Sequence, residues 1–302
     1  MKYYPEGLGA HIEKRFESID EVCKAIKEKS VFEGRVFLCD DEHNLHIDLG
    51  GFEGIIPRGE GSLGILENTV KDIALISRVG KSVCFRVMGL KKEGNRIIPV
   101  LSRRAVQLDT KKNYIDMLRA GDVISARVTR LDPFGAFIDI GSGLNSLIPI
   151  DMLSVSRINH PRERLSCGDL IKTVLLNKDN GKLTFTLKEL LGTWEENAAL
   201  FKAGTTVTGI VRSLEPYGVF VELVPNLAGL AEPDDALIPG QLVSVFIKSV
   251  LPDKMKIKLS VVEAFDYADA PPKLNYFVSA GHIDFWQYSP DGAVKKIHTD
   301  FK

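Results

Sequence analysis

The strongest constraint on how this chain can fold is an internal repeat. The stretch GDVISARVTRLDPFGAFIDIG, from Gly121, matches GTTVTGIVRSLEPYGVFVELV, from Gly204, at a constant offset of 83 residues. A weaker third copy, EGRVFLCDDEHNLHIDLGGFEGIIPRGEG, starts at Glu33. Each copy continues with an alternating stretch, a short turn and a closing stretch. This pattern predicts a small all-β unit of five short strands over roughly 65–75 residues.

The segments between the repeats carry helix signals. Ser18 and Glu21, and again Thr193 and Glu196, are spaced as capping boxes. The stretch KKNYIDMLRAG places apolar residues on one helix face and ends at Gly121, a residue type that stops helices. We therefore expect short, semi-rigid helical spacers between the β units.

The C-terminal stretch HIDFWQYSPDGAVKKIHTDF predicts a β-hairpin, with Ser289 to Gly292 as a type I turn. An isolated hairpin is marginal in water, so it packs either on the last repeat or on another molecule. Its aromatic residues Phe285, Trp286 and Tyr288 form either a small hairpin core or a further contact surface.

The strand that reads GAFIDI in the second repeat indicates which aromatic side chains face outward. Successive side chains of a strand alternate between its two faces. The alanine and the isoleucines share one face, which must be the core. Phe137 shares the other face with Asp139, whose carboxylate indicates a solvent face. The third repeat agrees, because Phe220 lies on the same face as Glu222.

Phe134 needs a further device to reach that outer face. A β-bulge at Gly135 would add one residue and place Phe134 and Phe137 on the same side. The same device in the third repeat would bring Tyr217 and Phe220 together. Adjacent exposed aromatic rings on a barrel surface form a stacking platform for unpaired bases.

Composition and motifs exclude several functions. The formal net charge is −1, so attraction to nucleic acid must come from local patches and stacking. The four cysteines include no CxxC pair and the six histidines no HExxH motif, so we expect no metal site and no cofactor. No catalytic constellation is present, so we expect no enzyme activity and no small-molecule substrate. The N-terminus lacks a signal-peptide core and no stretch approaches ~18 apolar residues, which predicts a cytoplasmic protein without membrane contact.

The second repeat resembles the S-one RNA-binding motif. The likeness rests on GDVISARVTRLDPFGAFIDIGSGLNSLIPI, followed by SRINHPRERLSCGDLIKTVLLNKDNGKLTFTL, and extends less strongly to the third repeat and weakly to the first. The motif occurs in the large RNA-binding protein of the bacterial small ribosomal subunit. It folds as a five-stranded antiparallel Greek-key barrel of the OB type and binds single-stranded RNA. The resemblance implies the same fold and activity here.

The repeats and this resemblance together predict a mainly β chain of tandem OB-fold barrels joined by short helices, with a C-terminal β-hairpin. The predicted segments are an N-terminal helical segment at 1–30, a divergent barrel at 31–107, a linker helix at 108–118, a barrel at 119–190, a linker helix at 191–202, a shortened barrel at 203–265, and a linker with the hairpin at 266–302.

RNA contacts are expected from aromatic rings and from cations beside them. The resemblance implies that Phe134 and Phe137, and then Tyr217 and Phe220, form the base-stacking face. Backbone phosphates need mobile cations near these rings. The remaining predicted RNA-binding residues, including the first-repeat replacements for the aromatic rings, are Arg127, Arg130, Arg157, His160, Arg162, Lys172, Arg212, His43, His46 and Arg58. Acidic residues crowd the third repeat, so the second repeat is expected to be the main site.

The leading hypothesis is a bacterial protein that binds unpaired RNA in translation or messenger-RNA handling. Its expected partners are single-stranded RNA and the small ribosomal subunit. The alternative is a protein–protein scaffold on the ribosome or an RNA-processing complex with reduced RNA binding, which the near-neutral charge favours.

Overall fold

The computed structural model describes residues 3–9, 15–179, 181–267 and 271–302. In this part of the chain most regular structure is strand, and the strands form three closed barrels of five strands each. This confirms the predicted fold class. The chain divides into two compact units, residues 1–118 with 139–145, and residues 119–138 with 146–302.

The first unit contains the first barrel. Strand β1 pairs with β2 and β4, β2 with β3, β4 with β5, and the barrel closes through parallel pairing of β3 with β5. A short helix, α2, lies between β3 and β4. The bounds are β1 Phe32–Cys39, β2 Leu45–Asp48, β3 Glu53–Ile56, α2 Ile73–Ile76, β4 Ser82–Glu93 and β5 Arg96–Ser102.

Helix α1, Ile19–Glu28, precedes the first barrel and buries Val22 and Ala25. Ser18 caps it as predicted, since its hydroxyl accepts the backbone N–H of Glu21. The Glu21 carboxylate accepts the N–H of Glu17, one residue before the cap. Residues 1–2 and 10–14 of the predicted segment at 1–30, including His11, lie outside the described residues.

Helix α3, Arg103–Asn113, corrects the predicted linker helix at 108–118. It begins directly after β5, because the Ser102 hydroxyl accepts the N–H of Ala105 and caps the helix there. A single 3-10 turn, Ile115–Met117, follows the helix, so Gly121 does not end it. With 11 residues, α3 is the longest helix in the described part of the chain. None of the helices there has the length and apolar character that a membrane span requires.

The second and third barrels repeat the strand order of the first, with the third strand again parallel to the fifth. Helix α4 lies between them, and the predicted capping box of Thr193 and Glu196 is present at its start. The bounds are β6 Val123–Asp132, β7 Gly135–Asp139, β8 Asn145–Pro149, β9 Leu170–Asp179, β10 Lys182–Thr186, α4 Trp194–Ala198, β11 Thr206–Glu215, β12 Gly218–Val224, β13 Leu227–Ala231, β14 Gln241–Leu251 and β15 Lys256–Tyr267.

The C-terminal hairpin is present, with β16 Phe285–Gln287 paired to β17 His298–Asp300. Its turn lies one residue later than predicted, because the N–H of Ala293 donates to the carbonyl of Pro290. Trp286 and Tyr288 are buried in one cluster with core residues of the third barrel. Of the two alternatives that the sequence left open, the hairpin therefore packs on the last repeat. Residues 268–270, in the linker before it, lie outside the described residues.

Candidate nucleic-acid interface

The turn between β6 and β7 presents an aromatic pair. Phe134 occupies the turn and is 55% exposed, while Phe137 lies half-buried on β7. The ring centroids are 5.8 Å apart and the planes meet at 87°, an edge-to-face pair. Ala136 and Ile138 are fully buried on the opposite face of β7. The predicted alternation of faces is therefore correct.

The bulge predicted at the glycine is contradicted in the third barrel, where Gly218 pairs regularly with Glu215. Phe134 reaches the outer side because it lies in the hairpin turn, and Gly135 is simply the first residue of β7. A Cβ atom on Gly135 would lie 2.4 Å from the carbonyl oxygen of Ile148, so glycine permits close approach of β7 to β8. In the third barrel the bulge lies on the strand before the turn, between Val211 and Ser213.

The third barrel carries the same arrangement. Tyr217 lies in the turn before β12 and is 63% exposed, and its ring meets that of Phe220 at 90° with centroids 6.2 Å apart. Gly218 repeats the close approach, since a Cβ atom there would lie 2.4 Å from the carbonyl oxygen of Ala231. The second and third barrels thus present equivalent pairs of rings.

A cation accompanies the pair on the second barrel. The guanidinium carbon of Arg130 lies 4.5 Å from the centroid of the Phe137 ring, within the range of a cation–π interaction. Its Nη2 also donates to Asp132 at 2.5 Å, and most of the Arg130 side chain remains exposed. Positive charge and exposed aromatic surface therefore lie side by side.

The acidic residues two positions after Phe137 and Phe220 are both buried, which corrects the prediction that they lie on a solvent face. Asp139 is 3% exposed and accepts backbone N–H groups from Glu6, Gly141 and Gly143. Burial and the nearby charge of Glu6 raise the pKa of Asp139 to about 7. Burial would also raise the pKa of Glu6, but the guanidinium of Arg103, bound to both of its carboxylate oxygens, lowers it. These residues all belong to the first unit.

Glu222 is buried within an ion-pair cluster. Its carboxylate accepts Nη2 of Arg164 at 2.5 Å and Nε of Arg212 at 2.9 Å. Arg212 also donates to Glu163 at 2.6 Å. Carboxylates therefore accept from Nε, Nη1 and Nη2 of Arg212, and its contact with RNA stays a prediction. Arg164, which follows the predicted basic loop, is only 1% exposed.

The predicted basic loop of the second barrel keeps two exposed cations, Arg157 and Arg162. His160 has a structural role, because its Nδ1 accepts the N–H of Arg162 and caps the 3-10 helix Pro161–Glu163. On the neighbouring strands, Lys172 Nζ donates to the hydroxyl of Ser125, and Arg127 Nε contacts the carbonyl of Gly168. The cations are thus present, but several of them have partners within the protein.

The first barrel departs most from the prediction. His46 places Nδ1 2.7 Å from Glu53 and Nε2 3.2 Å from Asp40, so carboxylates use both ring nitrogens. Arg58 binds both carboxylate oxygens of Asp72, and His43 Nε2 lies 4.0 Å from the same residue. The Arg58 hydrogen bond lowers the pKa of Asp72. His43, His46 and Arg58 thus lie against carboxylates of the same barrel, and their contact with RNA stays a prediction.

Sequence reasoning missed Phe37, which is 52% exposed on β1. Its ring lies edge-on to His46, with centroids 6.1 Å apart. Phe37 occupies the bulge between Val36 and Leu38, where parity fails, so alternation alone could not place it.

A family model described as the S1 RNA binding domain matches residues 118–185, nearly the whole second barrel. Below, we call this matched segment the S1 domain. The match confirms the resemblance to the S-one motif, and the matched segment contains the pair of Phe134 and Phe137. Tyr217 and Phe220 lie outside the matched segment, on a barrel with the same strand order.

Curated relatives extend the likeness beyond the S1 domain. The small ribosomal subunit protein bS1 homolog of Bacillus cereus is 35% identical over 205 residues, covering 62% of this chain and 53% of that protein. The bS1 homolog of Bacillus subtilis is 31% identical over 270 residues, covering 83% of this chain and 65% of that protein. A crystal structure of a Streptococcus pneumoniae multidomain protein with nucleic acid binding domains is 15% identical over 78% of this chain and 74% of its own, with a TM-score of 0.27. The chain spans about half to two thirds of the length of these bS1 relatives.

Proposed function

We propose that the chain binds single-stranded RNA, with the S1 domain as the main site and the third barrel as a second one. The observation that carries this proposal is the exposed pair of Phe134 and Phe137 with the Arg130 guanidinium beside it. The pair of Tyr217 and Phe220 repeats this geometry. Every base has an aromatic face, so such platforms bind unpaired bases with little sequence preference.

Binding would combine stacking with phosphate contacts. Each stacked base contributes ~1–3 kcal/mol by this mode. Four cations on the second barrel supply the electrostatic part: Arg127, Arg130, Arg157 and Arg162. Because these charges are few, the salt dependence of binding should be moderate. No bond is made or broken in this mechanism, so the proposal describes a binding protein.

The cellular setting of this binding is part of the proposal. The curated relatives are ribosomal proteins of the small subunit, which supports a role in translation or messenger-RNA handling. We place the protein in the cytoplasm, with unpaired messenger RNA as its ligand and the small ribosomal subunit as a partner. The sequence-based alternative, a scaffold with reduced RNA binding, does not account for two exposed aromatic pairs at equivalent positions.

The test is a fluorescence anisotropy titration of the full chain with fluorescein-labelled oligo-U RNA at two salt concentrations. The double variant Phe134→Ala, Phe137→Ala removes the ring pair of the S1 domain. Loss of two stacking contacts at ~1–3 kcal/mol each should weaken binding by about 30-fold or more. The matched control is Phe285→Ala, which removes another exposed phenyl ring outside both pairs.

Three results would contradict the proposal. They are an absence of saturable binding by the wild type at low salt, binding of the double variant as tight as that of the wild type, and equal weakening of binding by Phe285→Ala. Circular dichroism of each variant must match the wild type, so that lost binding reports on the rings and not on unfolding.

A further inference from the structure

The first barrel carries an apolar patch rimmed by carboxylates. Phe37 and Leu38 expose 52% and 44% of their surface on β1. Around them lie carboxylates from the turn after β1 and from β3. We call this surface the acidic face, and its residues are Phe37, Leu38, Asp40, Asp41, Glu42 and Glu53.

Direct contacts through His46 and Asn44 link Phe37 to three of the four carboxylates. The ring of Phe37 meets that of His46, and His46 joins the carboxylates of Asp40 and Glu53. The Asn44 amide donates to Asp40 at 2.9 Å and to Glu42 at 3.4 Å. Asp40, Glu42 and Glu53 are therefore held in place beside the exposed ring.

Negative charge predominates on this surface. Arg58, a neighbouring cation, is already ion-paired with Asp72. Lys91 is close enough for the charge of Glu42 to raise its pKa, but it is ion-paired with Glu93. The field also affects a neighbouring thiol: burial, and then the charges of Asp40 and Asp72, raise the pKa of Cys39. A phosphate backbone would be repelled here, although the exposed ring resembles those of the other barrels.

The contrast with the S1 domain indicates the chemistry of the partner. There a guanidinium lies over the Phe137 ring, whereas here a phenyl ring lies beside a histidine bound by two carboxylates. Complementary charge gives protein interfaces their specificity and speeds association. Lysine and arginine side chains combine an apolar stem with a cationic head, and arginine also stacks on aromatic rings.

We propose that the acidic face binds a lysine- and arginine-rich segment of a protein partner. The aliphatic stems would cover Phe37 and Leu38, and the cationic heads would pair with Asp41, Glu42 and Glu53. This interaction is separate from RNA binding by the other two barrels, so each can fail without the other.

The experiment uses the full chain and a fluorescein-labelled peptide, Gly-Arg-Leu-Lys-Arg-Leu-Lys-Arg-Gly, in anisotropy titrations. The first variant is Phe37→Ala and the second is Asp41→Lys, Glu42→Lys. The matched control is Asp234→Lys, Asp235→Lys, which makes the same change of net charge at exposed acids of the third barrel. Oligo-U RNA is titrated in parallel against all four proteins.

We expect saturable peptide binding by the wild type, weakened about fivefold by Phe37→Ala and at least about tenfold by the charge reversal on the acidic face. The control should stay within about twofold of wild type, and Phe37→Ala should leave RNA affinity unchanged. The proposal is overturned if the wild type does not bind the peptide or if the control weakens binding as much as the acidic-face variant. It is equally overturned if Phe37→Ala weakens RNA binding, because the face would then be a third RNA site.

Discussion

Glu222 is a residue of the second unit at which a small chemical change should cause a large loss of stability. It accepts three hydrogen bonds, from Arg164 Nη2 at 2.5 Å, Arg212 Nε at 2.9 Å and Arg212 Nη2 at 3.3 Å. Arg164 is 1% exposed, and burial lowers its pKa by disfavouring the charged form. The variant Glu222→Gln keeps the shape but removes the charge. It leaves a buried guanidinium uncompensated, at a cost of about 3–5 kcal/mol.

The two tryptophans of the chain provide the assay. Trp194 and Trp286 are both buried in the core cluster of the third barrel, so their fluorescence follows unfolding of the second unit. At about 2–4 °C per kcal/mol for a unit of this size, Glu222→Gln should lower the melting temperature by about 6–20 °C. Urea titration at fixed temperature should give the same ranking.

Two further variants make this prediction specific. Glu232→Gln breaks the exposed pair with Lys248 in the third barrel, and because solvent screens such pairs it should unfold like the wild type. Arg164→Met with Glu222→Leu replaces the buried pair by apolar groups and should recover at least half of the loss. If Glu222→Gln melts within about 2 °C of the wild type, the buried charge cannot carry the stated energy and the reasoning is refuted.

Three other perturbations follow from the same structure. Gly135→Ala should destabilise the S1 domain by about 1–3 kcal/mol in thermal melts, because the new Cβ atom would lie 2.4 Å from a carbonyl oxygen of the next strand, whereas Gly89→Ala, with no atom within 4 Å, should be tolerated. Because the pKa of Asp139 is raised to about 7, the native state holds a proton that the unfolded state releases near pH 4. The stability of the first unit should therefore fall as the pH rises from 5 to 8. Hydrogen exchange of its amides should show this fall, and Asp139→Asn should flatten it. Arg157→Ala and Arg162→Ala should each reduce the slope of log affinity for oligo-U against log salt by up to about 0.7, and an unchanged slope would show that neither contacts phosphate.

Local sequence rules were sufficient to predict the barrels and the outward orientation of the aromatic rings. Glycine and turn spacing, repeated at an offset of 83 residues, predicted the five-stranded units, and each unit is a closed barrel. Strand alternation placed Phe137 and Phe220 outward because both lie in regular strand. The edge-to-face pairs therefore depend on contacts between residues three apart, which a single sequence contains.

Contacts between distant segments could not be predicted in this way. Arg212 looked like a free cation beside the aromatic strand, but Glu163, 49 residues earlier in the chain, accepts from it. His160 looked like a phosphate ligand but caps a 3-10 helix. The bulge was assigned to Gly135 because glycine tolerates unusual backbone angles, whereas the structure uses this glycine for close strand approach. The errors on Arg212 and Gly135 replaced a tertiary contact by a local explanation, whereas the cap made by His160 is itself a local contact.

The three barrels differ more clearly in the acidic residue that follows the aromatic position of the second strand by two than in the aromatic rings themselves. Next to Phe220, the charge of Glu222 is compensated by two guanidinium groups, and next to Phe137, the raised pKa of Asp139 leaves that carboxyl partly protonated at neutral pH. The equivalent Asp48 of the first barrel is exposed and lies 4.0 Å from an exposed Arg15. Under the proposed function, a phosphate would therefore approach the rings of the second and third barrels without facing a full carboxylate charge, while on the first barrel that charge stays at the surface. On this proposal, burial of one carboxyl by a distant segment would change which ligand the neighbouring aromatic surface accepts.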